Sequence, residues 1–169
     1  MSVSWEALVR ELAERQGGLV DRQPGEPRAV QALTSIIGRD SIVEAVNHYV
    51  ENGPASELIR EVLQLIRPRL AMHECFEIWK TSSRANERVG AVELLRTIGD
   101  AYALQWLDVL LQDTDPMVQV WASRLVDELA MHGLVDREVA ESWARRFEQF
   151  ENEAVRETAR MIRRCYEAE

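Results

Sequence analysis

Apolar residues recur at helical spacing through the middle of this chain, in segments separated by turn residues. Between residues 87 and 129 two segments show the pattern, the first at Ala91, Leu94 and Ile98 and the second at Val118, Ala122, Leu125 and Leu129. This spacing places apolar side chains on one face of a helix. A third segment between them, over residues 101–111, is also predicted to be helical and includes Leu104, Leu107 and Leu111.

The turns between these segments contain residues that end one helix and begin the next. Gly99 can adopt the left-handed conformation that ends a helix, and Asp100 can cap the helix that follows. Asp115 and Pro116 form an N-cap and first-turn pair for the third helix. The sequence therefore predicts helix, tight turn, helix, tight turn, helix.

The same pairing of helices recurs along the chain. The first helices of successive units begin near residues 26, 58, 87, 118 and 155, with a period of about 30 residues. In the first two units the predicted apolar stripes are Val30, Leu33 and Ile37, then Leu58, Val62 and Leu65. A stripe of this kind cannot be buried by one helix alone, so the repeats are expected to stack.

One domain is expected over residues 1–169, and all of its elements are predicted to be helices. A capping helix over residues 1–17 would carry the apolar residues Trp5, Leu8, Val9 and Leu12. A loop over residues 18–27, rich in proline and glycine, would connect it to the repeats over residues 28–169.

The segment AVELLRTIGD at residues 91–100, the helix after it, and DTDPMVQVWASRLVDEL at residues 113–129 together resemble HEAT repeats. They are similar in particular to the short bacterial HEAT-like repeats of phycobilin lyases, and the likeness extends over residues 26–169. The resemblance implies a right-handed α-solenoid whose second helices line a concave binding face. It implies no chemistry, because this repeat serves scaffolds, inhibitors, lyase subunits and DNA glycosylases alike.

Composition and charge narrow the classes of partner. The net charge of −9 disfavours generic binding to nucleic acid, which needs many cations, and favours a partner with a basic surface.

The cysteines and the absence of long apolar runs bear on the compartment. Cys75 and Cys165 lack the spacing of a metal site, so free thiols in a reducing compartment are expected. Because no apolar run resembles a signal peptide or a membrane span, we expect a cytoplasmic protein without a membrane partner.

Motifs for catalysis are not evident in the sequence. His73 and Glu77, four residues apart on one predicted helix, could contact a metal together, but no third ligand lies near them in sequence. The sequence contains no nucleophile elbow, zinc-protease motif, phosphate-binding loop or dinucleotide fingerprint. We therefore expect no catalytic residues, no metal and no cofactor.

By the geometry that the resemblance implies, the second helices present a mainly acidic and amide-rich face. Its candidate partner-binding residues are Glu44, His48, Glu51, His73, Glu77, Gln105, Asp108, Gln112, Glu141, Arg145 and Glu148. Trp106 is added as a candidate anchor, because partly exposed tryptophan is enriched at binding hot spots. Alternatively, Trp106 lies at the edge of the hydrophobic core and does not contact a partner.

The last predicted helix offers a second candidate surface. Four arginines lie on one side of it, at Arg156, Arg160, Arg163 and Arg164. Acids of the preceding helix, such as Glu141 or Glu148, could compensate their charge. Otherwise the stripe would be a local site for an anion or an acidic partner.

The sequence thus predicts a non-enzymatic module that binds another protein through the concave face. A more specific hypothesis is a bacterial immunity protein or inhibitor that blocks a toxin, motivated by small size and acidity. The alternative is an accessory or lyase-like subunit of an enzyme complex, which the phycobilin-lyase resemblance allows. A DNA glycosylase would require a basic groove, which the net charge disfavours.

Overall fold

The computed structural model describes residues 27–167, and this part of the chain is all-helical, without a strand. The prediction of an all-α protein is therefore confirmed for the described residues. The α-helices there are α1 Arg28–Ile37, α2 Arg39–Val50, α3 Ser56–Ile66, α4 Arg69–Thr81, α5 Ala85–Ile98, α6 Leu107–Leu110, α7 Pro116–Met131, α8 Arg137–Phe147 and α9 Glu153–Glu167, with a 3₁₀ helix, Ala101–Trp106, before α6. The predicted capping helix over residues 1–17 and the loop over residues 18–27, apart from Pro27, lie outside the described residues.

Helices pack both on their neighbours in sequence and on the next helix but one. In the first row, α3 packs on α5, α5 on α7 and α7 on α9. In the second row, α2 packs on α4, ring contacts join α4 to the 3₁₀ helix, and an ion pair joins α6 to α8. The first row thus consists of α3, α5, α7 and α9, and the second row of α2, α4, the 3₁₀ helix with α6, and α8.

The core lies between the two rows and receives side chains from both. Leu94 and Leu125 of the first row are 0% and 1% exposed, and Leu107 and Phe147 of the second row are both fully buried. Burial of these apolar surfaces is the main favourable term in folding. The predicted core positions Leu94, Ile98, Leu107 and Leu125 are all confirmed.

Two of the predicted helix caps form as expected. The Asp100 carboxylate accepts a hydrogen bond from the backbone N–H of Tyr102 at 2.7 Å, and Asp115 accepts one from Met117 at 2.8 Å. Each bond satisfies a backbone donor that a helix start leaves without an intrahelical partner. Pro116 then occupies the first turn of α7, where its missing N–H has no cost.

Gly99 is required for a different reason from the one predicted. Its φ of −63° and ψ of 149° are extended, so the expected left-handed conformation is wrong. A Cβ at this position would lie 2.6 Å from Leu125 Cδ1 and 2.7 Å from the Leu95 carbonyl oxygen. The absence of a side chain therefore lets the end of α5 approach α7 closely.

The central second helix also differs from the prediction. Residues 101–106 form a 3₁₀ helix, and only a single turn of α-helix follows at α6. With three residues per turn, Ala103 and Trp106 fall on the same side, and both are buried. Tyr102 and Gln105 fall together on another side, where Tyr102 is half-buried and Gln105 is exposed.

The predicted stripe on α3 is wrong by one position. Leu58 is 61% exposed and Leu65 is 85% exposed, whereas Leu63 and Ile66 are buried. The helix has apolar residues on two sides, and the side that includes Leu63 is the one that packs on its neighbours. The predicted stripe of α1 is likewise not buried, since Leu33 and Ile37 are each 40% exposed.

The two free cysteines should differ in reactivity. Burial raises the pKa of the Cys75 thiol, which has no exposed surface, while Cys165 is only partly buried. Because the thiolate is the reactive form, a Cys165→Ser variant should show no rapid reaction with Ellman's reagent in the native state and should react at one site in denaturant. Rapid labelling of this folded variant would contradict the burial of Cys75.

Candidate functional site

Five aromatic side chains of α4 and the 3₁₀ helix meet in the second row. This aromatic cluster consists of His73, Phe76, Trp79, Tyr102 and Trp106. Trp106 is at its centre: Phe76 stacks on it with ring centroids 4.8 Å apart, and His73 and Tyr102 meet it edge-on at 5.1 and 5.5 Å. Stacked and edge-on arrangements of this kind stabilise aromatic pairs beyond the effect of area burial.

The aromatic cluster has a buried base and an accessible outer side. Trp106 is only 8% exposed, so this candidate anchor belongs to the core and supports the other rings. His73 is exposed, and its Nε2 shares a hydrogen bond of 2.7 Å with the Tyr102 hydroxyl. The guanidinium of Arg69 lies 4.2 Å from the Tyr102 ring centroid. The surface residues are thus held in fixed orientations.

A carboxylate holds the aromatic cluster from one end. Asp113 accepts hydrogen bonds from Trp79 Nε1 at 2.8 Å, from Arg88 Nε at 3.0 Å and from the backbone N–H of Asp115 at 2.8 Å. Burial by itself would raise the pKa of Asp113, but these hydrogen bonds, above all that from Arg88, hold the pKa below its usual value. The Asp113 carboxylate therefore connects α4, α5 and the loop before α7.

The acidic residues predicted for the binding face mostly form ion pairs within the chain. The pairs are Glu77 with Lys80 at 3.8 Å, Glu141 with Arg137 at 2.7 Å and with Arg145 at 4.0 Å, Glu148 with Arg163 at 2.6 Å, and Asp108 with Arg146. The face therefore has less uncompensated negative charge than its sequence suggests. Arg146, which was not predicted, also lies over the Trp143 ring at 4.1 Å.

The remaining predicted face residues lie on α2 or at its end, in the 3₁₀ helix and just after α6. Gln105 donates a hydrogen bond to the Tyr102 carbonyl oxygen at 2.8 Å, and Gln112 is exposed just after α6. Glu44 and Glu51 are exposed on α2 and at its end. His48 turns to the loop after α2, where its Nε2 hydrogen-bonds the Pro54 carbonyl oxygen.

The arginine stripe of α9 is largely engaged within the chain. Arg156 donates to the carbonyl oxygens of Phe150 and Glu151 at 2.7 and 2.8 Å, near the end of α8. Arg160 pairs with Glu157 and Arg163 with Glu148, while Arg164 is exposed. Of the expected compensation by acids of the preceding helix, the structure shows the pair of Glu148 with Arg163.

Within residues 27–167, no group of three or more His, Cys, Asp or Glu side chains is placed to hold a metal ion. The two residues considered above as metal ligands have separate partners, since His73 bonds Tyr102 and Glu77 pairs with Lys80.

Within residues 27–167, no helix combines the length and the apolar character needed to cross a bilayer.

No family model, curated protein or solved structure matches this chain.

Proposed function

We propose that this chain is a non-enzymatic module that binds another protein through the second row of its helices. The observation that carries the proposal is the aromatic cluster, whose outer side is accessible and whose base is buried. Tyrosine and tryptophan are enriched among the residues that contribute most to binding at protein interfaces, because they supply large contact areas at a small cost in conformational entropy.

The surroundings of the aromatic cluster suit a binding centre. Charged pairs lie on the same row, with Glu77 and Lys80 on α4 and Asp108 and Arg146 between α6 and α8. An apolar centre with a polar rim is the usual anatomy of a protein interface. Because Asp113 and Trp106 fix the rings before binding, little ordering of the rings would be needed when a partner arrives.

A HEAT-like, right-handed α-solenoid is the architecture that we propose for this module. Support comes from the packing of α3, α5, α7 and α9 on one another in order, and from the second row that runs beside them. In such a fold the second helices line the concave side, which would place the aromatic cluster near the centre of the binding surface.

The partner that we propose is a protein with a basic surface. The net charge of −9 would attract it at long range, while the aromatic cluster would supply short-range affinity. Because long-range attraction by the net charge steers the encounter, salt should affect the association rate more than the dissociation rate. The toxin-inhibitor version of this function stays a prediction.

The test begins with affinity purification from the native host, followed by binding measurements on the purified partner. His73→Ala should weaken binding at least about tenfold, because it removes an exposed ring and its bond to Tyr102. The melting temperature should change little, since His73 is exposed.

His132→Ala provides a matched control. His132 is also exposed and lies at the end of α7 in the first row, 3.2 Å from Glu128. This variant should bind the partner as the unmodified chain does. If both variants bind equally well, the second row is not the binding face.

A further inference from the structure

A small pocket lies between α8 and α9, apart from the aromatic cluster. It has a volume of about 280 Å³ and is lined by Arg137, Glu141, Arg145, Arg163 and Glu167. Arg137 Nε is 2.7 Å from one carboxylate oxygen of Glu141, and Arg145 is 4.0 Å from the other. We call this the arginine pocket; two of its guanidinium groups, those of Arg137 and Arg145, contact the Glu141 carboxylate, and its lining includes a second carboxylate, Glu167.

Two arginines of this pocket, Arg137 and Arg163, also make contacts outside its lining. Arg163 is 2.6 Å from Glu148, and Arg137 lies over the Tyr166 ring at 5.4 Å. The hydrogen bond from Arg137, together with the charges of Arg145 and Arg163, lowers the pKa of Glu141. Glu141 thus contacts two cations, Arg137 and Arg145, while Arg163 of the same pocket pairs with Glu148.

We infer that the arginine pocket is a binding site for a phosphate group, and that Glu141 is a built-in competitor that occupies it in the absence of ligand. A carboxylate offers two oxygens to the surrounding donors. A phosphate offers at least three oxygens and up to two negative charges, so it can satisfy several guanidinium groups at once. A phosphate that displaces Glu141 can therefore contact Arg137 and Arg145 together.

Release of Glu141 has a small cost. The side chains of Arg137 and Arg145 are 59% and 63% exposed, and that of Glu141 is 35% exposed. Ion pairs with this much contact with water contribute little to stability. Glu141 can thus turn to solvent when an anion enters, without disturbing the packing of α8 on α9.

The experiment is a titration with inorganic phosphate at constant ionic strength, followed by amide NMR shifts of α8 and α9. Glu141→Gln should bind phosphate about tenfold more tightly than the unmodified chain, because the competing charge is gone. Glu138→Gln is the matched control, since it removes an exposed carboxylate of the same helix that does not line the pocket. It should leave the affinity near that of the unmodified chain.

A second pair of variants tests the cations. Arg145→Ala should abolish saturable binding, whereas Arg164→Ala, an equal change of charge outside the pocket lining, should preserve it. Equal phosphate affinities of Glu141→Gln and Glu138→Gln, or of Arg145→Ala and Arg164→Ala, would overturn the proposal. Melting curves establish that all four variants are folded.

The affinity for phosphoserine, compared with that for inorganic phosphate, distinguishes a phosphate group carried by a protein chain from a free phosphate ion. Tighter binding of phosphoserine would indicate a phosphate carried by a partner chain, and tighter binding of inorganic phosphate would indicate a free ion. Either result supports a phosphate site, provided that Arg145→Ala removes the binding.

Discussion

The Leu107→Ala variant should have a free energy of unfolding lower by about 2–5 kcal/mol, the usual cost of truncating a buried leucine. Leu107 has no exposed surface and is the first residue of α6. Because α6 is only one turn long, its own hydrogen bonds cannot hold it in place, and packing of Leu107 must do so. Loss of this side chain would leave a cavity in the core between the two rows.

Val109→Ala is the control for this prediction. Val109 belongs to the same short helix but is 43% exposed, so its truncation should cost less than about 1 kcal/mol. Urea unfolding followed by far-UV circular dichroism compares the two midpoints, and similar slopes would show that both variants unfold alike. Equal shifts in midpoint would mean that the register of α6 is wrong.

Local patterns in the sequence predict most of the helices and the central part of the core. Leu94, Ile98 and Leu125 are buried as expected, because helical spacing alone decides which residues share a face. Asp100 and Asp115 cap their helices as expected, because a cap is made within a few residues of the chain. Both features depend only on neighbours in sequence.

Where a helix has two apolar sides, the sequence could not decide which one is buried. On α3 the predicted stripe at Leu58 and Leu65 faces solvent, while Leu63 and Ile66 face the core. That choice depends on how α3 lies against α2 and α5, which local spacing does not contain. The role of Gly99 was missed for a similar reason, since it depends on the distance to Leu125.

The candidate site was predicted only in outline. The sequence placed His73, Gln105 and Asp108 on the second helices, and the structure joins two of them to partners far away in the chain. His73 meets Tyr102 across 29 positions, and Asp108 meets Arg146 across 38. No spacing rule within one helix connects residues so far apart. The neutralisation of the predicted acids therefore became visible only in the folded chain.

Replacing Asp113 by asparagine should lower the free energy of unfolding by about 2–4 kcal/mol at neutral pH, because it leaves the Arg88 guanidinium without its carboxylate. The side chains of Asp113 and Arg88 are only 6% and 19% exposed, so water compensates the loss poorly. Trp79 would also lose its charged acceptor, and its fluorescence should change in the folded variant.

Asp108→Asn is the matched control, since it breaks an ion pair in which Asp108 is 59% and Arg146 50% exposed. It should cost less than about 1 kcal/mol. Equal effects of the two substitutions would contradict the role assigned to Asp113.

The pH dependence of stability gives an independent test of the same carboxylate. The pKa of Asp113 in the folded chain lies below its ordinary value of 3.8, so the folded state binds the proton less readily than the unfolded state does. Asp113 should therefore contribute its full stabilisation above that ordinary value and lose it as the pH falls through the lower pKa of the folded state. The difference in stability between the unmodified chain and Asp113→Asn should be constant near neutral pH and shrink on acidification. A difference that grows as the pH falls would show that the carboxylate is not the group responsible.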